Sequence, residues 1–217
     1  QRQYEIVMRR NPSIVDIGPD LPVNNVSRLE AEEFCVWLTS ETGRTVRLPT
    51  EAQWEWACRA GSASKFYYGG INESFSSYAN LADVSIRFLA VTGINPHPIP
   101  NPNRYEDFIP KDRRFNDKTI LMAEVGSYQP NAWGLADMHG NVAEWTASLY
   151  LPYPYAENDG RNDPQAAGKR VCRGGSWRDR PARATASFRL AYEPWQKVFN
   201  VGFRIVCPAR QSVASAE

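Results

Sequence analysis

Four cysteines and two histidines are the side chains of this sequence best suited to bind a transition metal or act as nucleophiles. They are Cys35, Cys58, Cys172, Cys207, His97 and His139. No two cysteines have the Cys-x-x-Cys spacing of zinc sites, so structural zinc is not expected. A non-haem iron site needs two histidines and a carboxylate, and nothing in the sequence brings His97 and His139 together. No nucleophile-elbow motif supports a Ser–His–Asp triad.

Hard oxygen ligands are concentrated in the segment 137–144, which reads Asp-Met-His-Gly-Asn-Val-Ala-Glu. Asp137 and Glu144 supply carboxylates, and backbone carbonyl groups lie between them. Calcium binds about six to eight oxygen ligands, drawn from carboxylates, amides and carbonyl groups. The segment therefore predicts a calcium site. In the metal-free alternative, the two carboxylates cap backbone N–H groups.

Two amphipathic helices are predicted in the first third of the chain. One begins after Ser27, which has a glutamate three positions on in a capping box, and ends at Gly43. The other begins after Thr50, with a glutamine three positions on, and ends at Gly61. The buried faces are predicted to be Ala31, Phe34, Cys35 and Leu38 in the first helix and Trp54, Ala57 and Cys58 in the second.

Short strands are predicted in the final third, at 169–172 and, as a buried closing strand, at 201–207. No periodicity persists over 84–116, which contains a proline-rich stretch followed by a charge-rich one. We expect this segment to be a surface excursion within the domain, not a linker, because patterned sequence resumes after it. A passive insertion and a partner-binding loop remain alternative interpretations of it.

The composition is that of a globular protein. The chain has 217 residues, of which 42% are hydrophobic and 23% charged, so we expect one domain over 1–217. The net charge of +1 gives no sign of a nucleic-acid partner. No apolar run approaches the roughly 20 residues of a membrane-spanning helix. The chain begins at Gln1 and not at Met, so an N-terminal piece is expected to have been removed or to be absent.

Aromatic residues are abundant, and 16 prolines and 14 glycines accompany them. This combination indicates long, packed loops more than long helices or broad sheets. Six of the tryptophans are interpreted as core or core-edge residues, not as a cofactor site. They are Trp37, Trp54, Trp56, Trp133, Trp145 and Trp177.

Four motifs occur in a fixed order: RLPTEAQWEWACRAG at 47–61, NAWGLADMHGNVAEW at 131–145, RVCRGGSW at 170–177 and VGFR at 201–204. Together they resemble the formylglycine-generating-enzyme and sulfatase-modifying-factor family. The resemblance implies an α+β, loop-rich, C-type-lectin-like fold with little regular secondary structure. That family includes copper oxidases of protein cysteines, iron-dependent sulfoxide synthases and ligand-displaying proteins, so the fold does not fix the chemistry.

The oxidases of the family bind copper through two cysteines just after the Gly-Gly-Ser motif, because thiolates hold Cu(I). Aligned on that motif, the two positions are Asp179 and Ala184 in this sequence. Copper is therefore not expected, and Cys172, the nearest cysteine, is interpreted as a small buried apolar residue. This favours a non-catalytic protein, with no catalytic residue assigned. The alternative is an oxidoreductase of the family that works through other residues.

The resemblance also implies one or two calcium ions. It assigns the first to Asp137 and Glu144 by side chain and to Gly140 and Val142 by carbonyl group, and the second to Asn80, the Leu81 carbonyl, Asp117 and the Thr119 carbonyl. Family disulfides involve the positions of Cys35 and Cys58. Since Cys207 lies two residues beyond a partner position, a Cys35–Cys207 bridge stays open, whereas Cys58 and Cys172 are expected to be free.

In the oxidases, the segment after the Gly-Gly-Ser motif lines the substrate groove. Here the corresponding candidate binding surface consists of Arg178, Asp179, Arg180, Arg183, Arg189, Tyr192 and Trp195. Arginine with aromatic residues is typical of protein interfaces. The alternative is a solvated face with some core packing. If it binds, we expect another protein or a peptide as the partner, and calcium together with the processed-looking start favours an extracytoplasmic location.

Overall fold

The computed structural model describes residues 1–93, 95–103, 109–156 and 158–208. Its three α-helices are α1 (Arg2–Met8), α2 (Arg28–Thr42) and α3 (Glu51–Arg59), and two short 3-10 helices span Val84–Phe88 and Pro181–Arg183. None of the helices in these ranges is long and apolar enough to cross a membrane. The C-terminal residues 209–217 of the predicted domain lie outside the described residues.

Both predicted helices are confirmed, with their capping boxes. The Ser27 hydroxyl accepts a hydrogen bond from the Glu30 backbone N–H at 3.2 Å, and the Glu30 carboxylate accepts one from the Ser27 N–H at 3.0 Å. Thr50 caps α3 in the same way. Helix α2 ends at Gly43 in a left-handed conformation, as predicted. Helix α3 ends one residue early, because Ala60 already adopts that conformation.

In the described part of the chain, six strands form two sheets. The strands are β1 (Leu89–Thr92), β2 (Asn95–Pro98), β3 (Ala143–Leu149), β4 (Arg170–Arg173), β5 (Leu190–Tyr192) and β6 (Val201–Phe203). Strands β1 and β2 form an antiparallel hairpin, and the others form a sheet in the order β5-β4-β3-β6. In that sheet, β6 pairs parallel to β3 and the other pairs are antiparallel. Strands occur at both predicted places, although β6 is shorter than expected. The result is an α+β fold in which loops predominate, as predicted.

The four-stranded sheet carries the central core. Ala31 and Cys35 of α2 pack with Trp145, Cys172 and Val201 of the sheet. Trp54, Trp145 and Trp177 are at most 2% exposed and confirm the core interpretation. The same interpretation is wrong for the other three tryptophans, which are Trp37, Trp56 and Trp133, each at least 45% exposed. Two of these cover each other, since the rings of Trp56 and Trp133 lie 4.3 Å apart.

The segment 84–116 is not only a surface feature. Ile86, Leu89 and Ile109 are buried in the same apolar cluster as Trp177. The backbone at Asp112 forms a bridge to Asp83, which ties the end of the segment to its beginning. The prediction of a surface excursion is therefore wrong for these positions, and its residues 94 and 104–108 lie outside the described residues.

Candidate functional site

An open cavity of about 330 Å³ lies beside the segment that follows the Gly-Gly-Ser-Trp motif. This size is at the lower end of the range for ligand pockets, about 300–1,000 Å³. Its walls are formed by Arg178, Asp179, Arg180, Arg183 and Tyr192 from the candidate binding surface, and by Pro110, Leu190, Val198, Phe199 and Asn200. The structure thus brings together most of the predicted surface residues.

The other two candidates lie elsewhere. Arg189 donates hydrogen bonds to both carboxylate oxygens of Glu51, at 2.6 and 2.8 Å, and its guanidinium stacks on Tyr150 and Tyr153. Trp195 is 66% exposed and does not line the cavity. Arg189 is therefore a partner of the buried Glu51 carboxylate, and its prediction as part of the binding surface is wrong.

Asp179, which the family resemblance places at the first copper-cysteine position, is fixed by its neighbours. One carboxylate oxygen accepts hydrogen bonds from the Ser176 backbone N–H at 3.1 Å and the Ser176 hydroxyl at 2.7 Å. The other accepts from Arg183 Nε at 3.0 Å. Asn200 donates to the same Ser176 hydroxyl at 2.7 Å. The carboxylate therefore braces the turn that carries the arginines.

Ala184, at the second of those positions, is completely buried. A Cβ atom built on Gly175 would lie 2.8 Å from the Ala184 Cβ, so the two chain segments are in close contact there. The Ala184 carbonyl accepts a hydrogen bond from His139 Nδ1 at 2.7 Å. Cys172 is also completely buried, and burial raises the pKa of its thiol well above the usual range. Neither position offers a thiolate, and the nearby thiol is held neutral.

The first predicted calcium loop lies beside a second cavity, of about 370 Å³, lined by Asp137, Val142 and Glu144 among others. Asp137 Oδ2 accepts a hydrogen bond from the Gly126 N–H at 2.6 Å, whereas its Oδ1 is buried with no partner among the described residues. Burial raises the pKa of Asp137. An orphaned carboxylate oxygen beside a cavity fits a bound cation.

Glu144, at the other end of this loop, already has partners. Its carboxylate accepts hydrogen bonds from Trp54 Nε1 at 2.6 Å and from Arg204 Nε at 2.5 Å and Nη2 at 2.7 Å. Arg204 is the arginine of the VGFR motif, and it directly follows β6, the edge strand that pairs with the β3 residue Glu144. A calcium ion here would have to share Glu144 with a guanidinium.

The second predicted calcium site is assembled despite a sequence separation of 36 between Leu81 and Asp117. Asp117 Oδ2 accepts a hydrogen bond from the Leu81 N–H at 2.9 Å, and its Oδ1 accepts from the Thr119 N–H at 2.8 Å. Asn80 is 1% exposed, and its side-chain oxygen has no partner in the part of the chain that is described. All four predicted residues therefore lie in one buried neighbourhood.

Asp83 is a residue of this neighbourhood that the sequence analysis missed. It is completely buried, and its carboxylate accepts hydrogen bonds from the backbone N–H groups of Ser85, at 2.7 Å, and Asp117. Burial and the proximity of Asp83 raise the pKa of Asp117 to about 7. Burial also raises the pKa of Asp83. Its role depends on the approach of Asp117, 34 residues later, so the sequence carries no local signal for it.

Across the described ranges, no three Asp, Glu, His or Cys side chains gather closely enough to hold a metal ion by themselves. Amide and carbonyl oxygens would have to complete either site, which is how calcium is often bound. The two histidines do not contribute. His97 is in the β1–β2 hairpin, and His139 is completely buried with its pKa lowered to about 4 by burial.

All four cysteines are free thiols in the structure, so the Cys35–Cys207 bridge left open above is not formed. Cys35 is buried and Cys207 exposed. The pKa of Cys35 is raised to about 12, first by burial and further by the negative charge of Glu32. Cys58 lies 3.5 Å from His139 Nε2, and burial raises its pKa to about 12 as well. A reactive Cys–His pair is not formed, because both groups are neutral.

The profile of one protein family, described as the Sulfatase-modifying factor enzyme 1-like domain, matches residues 5–209. The chain belongs to this family. It is 31% identical over 201 residues to the hercynine oxygenase of Mycobacterium tuberculosis. The match covers 88% of this chain and 38% of that protein. It is also 31% identical to the inactive C-alpha-formylglycine-generating enzyme 2 of Mus musculus, over 88% of this chain and 50% of that protein.

The sulfatase-modifying-factor domain described here therefore spans half or less of the length of these two relatives. A solved structure, that of Treponema denticola variable protein 1, superposes with a TM-score of 0.70 over 95% of this chain and 81% of that one. Its sequence identity is 23%, so this likeness concerns the fold alone. One of these relatives is named as an oxygenase and another as an inactive enzyme. The family therefore does not fix the function of this chain, which has to be argued from its site.

Proposed function

We propose that this sulfatase-modifying-factor domain is a non-catalytic, calcium-stabilised recognition domain that binds another protein, as an accessory or scaffold subunit. The observation that carries the proposal is the pair Asp179 and Ala184, which stands where the oxidases of the family have their copper cysteines. Cu(I) requires soft sulfur ligands. Asp179 offers hard oxygens that Ser176 and Arg183 already engage, and Ala184 offers no ligand.

The arginine-lined cavity supports a binding role at the same place. It is open to solvent, its backbone is braced by Asp179 and Ser176, and it combines guanidinium groups with Tyr192 and Phe199. Arginine and tyrosine are enriched among the residues that dominate binding energy at protein interfaces. A cavity without copper-binding cysteines can still bind a partner through the shape and charge of its walls.

Calcium would stabilise the loop that contacts the cavity segment, because the Ala82 N–H of the second candidate site donates to the Asp179 carbonyl. At the second candidate site, the buried carboxylates of Asp83 and Asp117 and the orphaned Asn80 oxygen could hold the ion, with the Leu81 and Thr119 carbonyl groups. Two buried carboxylates side by side favour a cation, because their mutual repulsion is otherwise uncompensated. The ion would contribute stability and no redox chemistry.

Metal analysis and a direct oxidation assay test the proposal. We expect calcium, and neither copper nor iron, in stoichiometric amount in the purified protein. Chelation should lower the melting temperature and calcium should restore it. At a hundredfold excess over Kd, the bound ion adds about 2.7 kcal/mol to the free energy of unfolding. Peptides with the Cys-x-Pro-x-Arg motif should stay unoxidised with or without added copper. Formylglycine in those peptides would overturn the proposal.

An oxidoreductase that uses other residues is the second candidate. It is favoured by the 31% identity to a protein named hercynine oxygenase. Stoichiometric iron or copper in the purified chain, together with consumption of oxygen in the presence of a thiol, would support this candidate over the first.

A further inference from the structure

Building on the proposed recognition role, we propose that the cavity beside 178–183 binds an acidic segment of the partner protein. In this arrangement Arg178 and Arg180 hold a carboxylate side chain, and an apolar neighbour in the partner packs on the wall formed by Tyr192, Leu190 and Phe199. The partner chemistry is thus an Asp- or Glu-containing stretch with adjacent aliphatic or aromatic residues.

The charge of the cavity wall is the first support. Among the described residues, three guanidinium groups and one carboxylate line it. The carboxylate of Asp179 is already engaged by Arg183 and Ser176. Arg178 and Arg180 are exposed, and in the ranges that the structure describes neither forms an ion pair with a carboxylate. Two uncompensated cations therefore face one cavity, and a carboxylate is their natural complement.

The apolar part of the wall is the second support. Tyr192, Leu190, Val198 and Phe199 are half-buried and contribute to the same cavity. The Arg178 guanidinium lies 5.3 Å from the centre of the Phe199 ring, in a cation–π contact. Stacking of this kind restricts the guanidinium before a ligand arrives, which reduces the entropy lost on binding. A small inorganic anion would leave this apolar wall uncovered, whereas a peptide would cover it.

The rigidity of the arginine segment is the third support. The Asp179 N–H donates to the Ser176 carbonyl at 2.8 Å, and the Arg183 N–H donates to the Arg180 carbonyl at 2.8 Å. The Ala82 N–H donates to the Asp179 carbonyl at 3.0 Å, which ties the segment to the second candidate calcium site. A charged surface that is held in place in this way retains more of its interaction energy on binding.

The test uses two pooled sets of fluorescein-labelled hexapeptides. In one set Glu alternates with Leu, Phe or Tyr, and in the other Gln replaces every Glu. Fluorescence anisotropy is measured with the whole chain, with an Arg178→Glu/Arg180→Glu variant, and with an Arg44→Glu/Lys65→Glu variant. The last variant changes the net charge equally at exposed positions outside the cavity. We expect the Glu peptides to bind about tenfold more tightly for each charge-assisted hydrogen bond gained.

The preference should disappear in the Arg178→Glu/Arg180→Glu variant and persist in the control. If charge reversal prevents folding, as judged by the melting curve, Arg178→Gln/Arg180→Gln takes its place. Equal affinity for both peptide sets, or an equal loss in the control variant, would overturn the proposal. So would complete displacement of the Glu peptides by low millimolar inorganic phosphate, which would indicate a simple anion site. The metal and oxidation assays involve no acidic peptide, so failure here leaves the proposed function to be judged separately.

Discussion

Arg204 donates two hydrogen bonds to the Glu144 carboxylate, from Nε to Oε2 at 2.5 Å and from Nη2 to Oε1 at 2.7 Å. The carboxylate at the first candidate calcium loop therefore already has a cation as its partner. Around Asp83 and Asp117 the situation is the reverse, because two buried carboxylates approach each other with backbone N–H groups as their hydrogen-bond donors. The negative charge is therefore less well compensated at the second site, and we expect calcium to bind more tightly there than at the first.

Asp117→Asn should abolish most of the calcium-induced rise in melting temperature. The substitution removes one of the two buried charges that would bind the ion, while the side-chain volume stays nearly the same. Thermal shift is measured with calcium and with a chelator. Asp16→Asn, at an exposed position, is the matched control and should keep the full calcium response. An undiminished response in Asp117→Asn would place the calcium elsewhere.

The calcium-free protein should lose stability as the pH rises from about 4 to about 7. The pKa of Asp117 is raised to about 7 in the folded state by burial and by Asp83. In the unfolded chain it returns to about 3.9. Between these values only the folded state binds the proton, so the stability is present below the lower pKa and lost as the pH rises through the upper one.

Melting curves from pH 5 to pH 8 check this dependence, after dialysis against calcium-free buffer. At pH 7 and above, where the carboxylates are ionised and available to the ion, saturating calcium should restore the stability that the calcium-free protein has lost. The Asp117→Asn variant is the control, since its melting temperature should depend less on pH. A calcium-free melting temperature that rises over this range would contradict the assignment.

Glu51→Gln should destabilise the fold by about 3–5 kcal/mol, because it leaves the largely buried Arg189 guanidinium without its counter-charge. Glu51 is 1% exposed and is engaged by Arg189, with Arg173 3.8 Å away. For a chain of this length each kcal/mol corresponds to roughly 2–4 °C of melting temperature. Glu41→Gln, at an exposed position of α2, should change the melting temperature very little. Similar melting temperatures for the two variants would show that the pair is dispensable.

A thiol-reactive dye should label Cys207 in the folded protein and the other three cysteines only after denaturation. Cys207 is exposed, whereas Cys35, Cys58 and Cys172 are buried. Burial also raises their pKa values, which lowers the fraction of reactive thiolate. Labelling followed by mass spectrometry identifies the sites. Protection of Cys207 that reductant removes would instead reveal a disulfide.

The local signals in the sequence determined much of the fold. Ser27 and Thr50 each mark a helix start through side-chain hydrogen bonds that involve only neighbouring residues. Helix α1 had no such signal, because Gln1 makes no side-chain capping bond to it. It is held instead by tertiary contacts, as Tyr4 stacks on Phe34 with ring centres 5.6 Å apart. Contacts of that kind are not visible in a single sequence.

Sites built from distant residues were predictable only where a motif ties them together. The candidate calcium ligands are those that the family motif assigns, and the contact between Leu81 and Asp117 brings the second set together. Asp83 could not be predicted, since its role depends on the approach of Asp117. Arg189 was misassigned because its partner, Glu51, lies 138 residues earlier in the chain. Trp56 was misassigned because an exposed aromatic pair has the same sequence signature as a buried one.

The parallel pairing of β6 with β3 has a consequence for how the protein is made. On the ribosome, β3 emerges long before β6, so one edge of the central strand stays unpaired during synthesis. An open edge of this kind can pair with another nascent chain and start aggregation. When β6 arrives, Gly202 passes so close to the Val23 carbonyl that a Cβ atom would lie 2.3 Å from its oxygen. A larger residue at 202 should therefore reduce the yield of folded protein from translation more than it affects binding by the molecules that do fold.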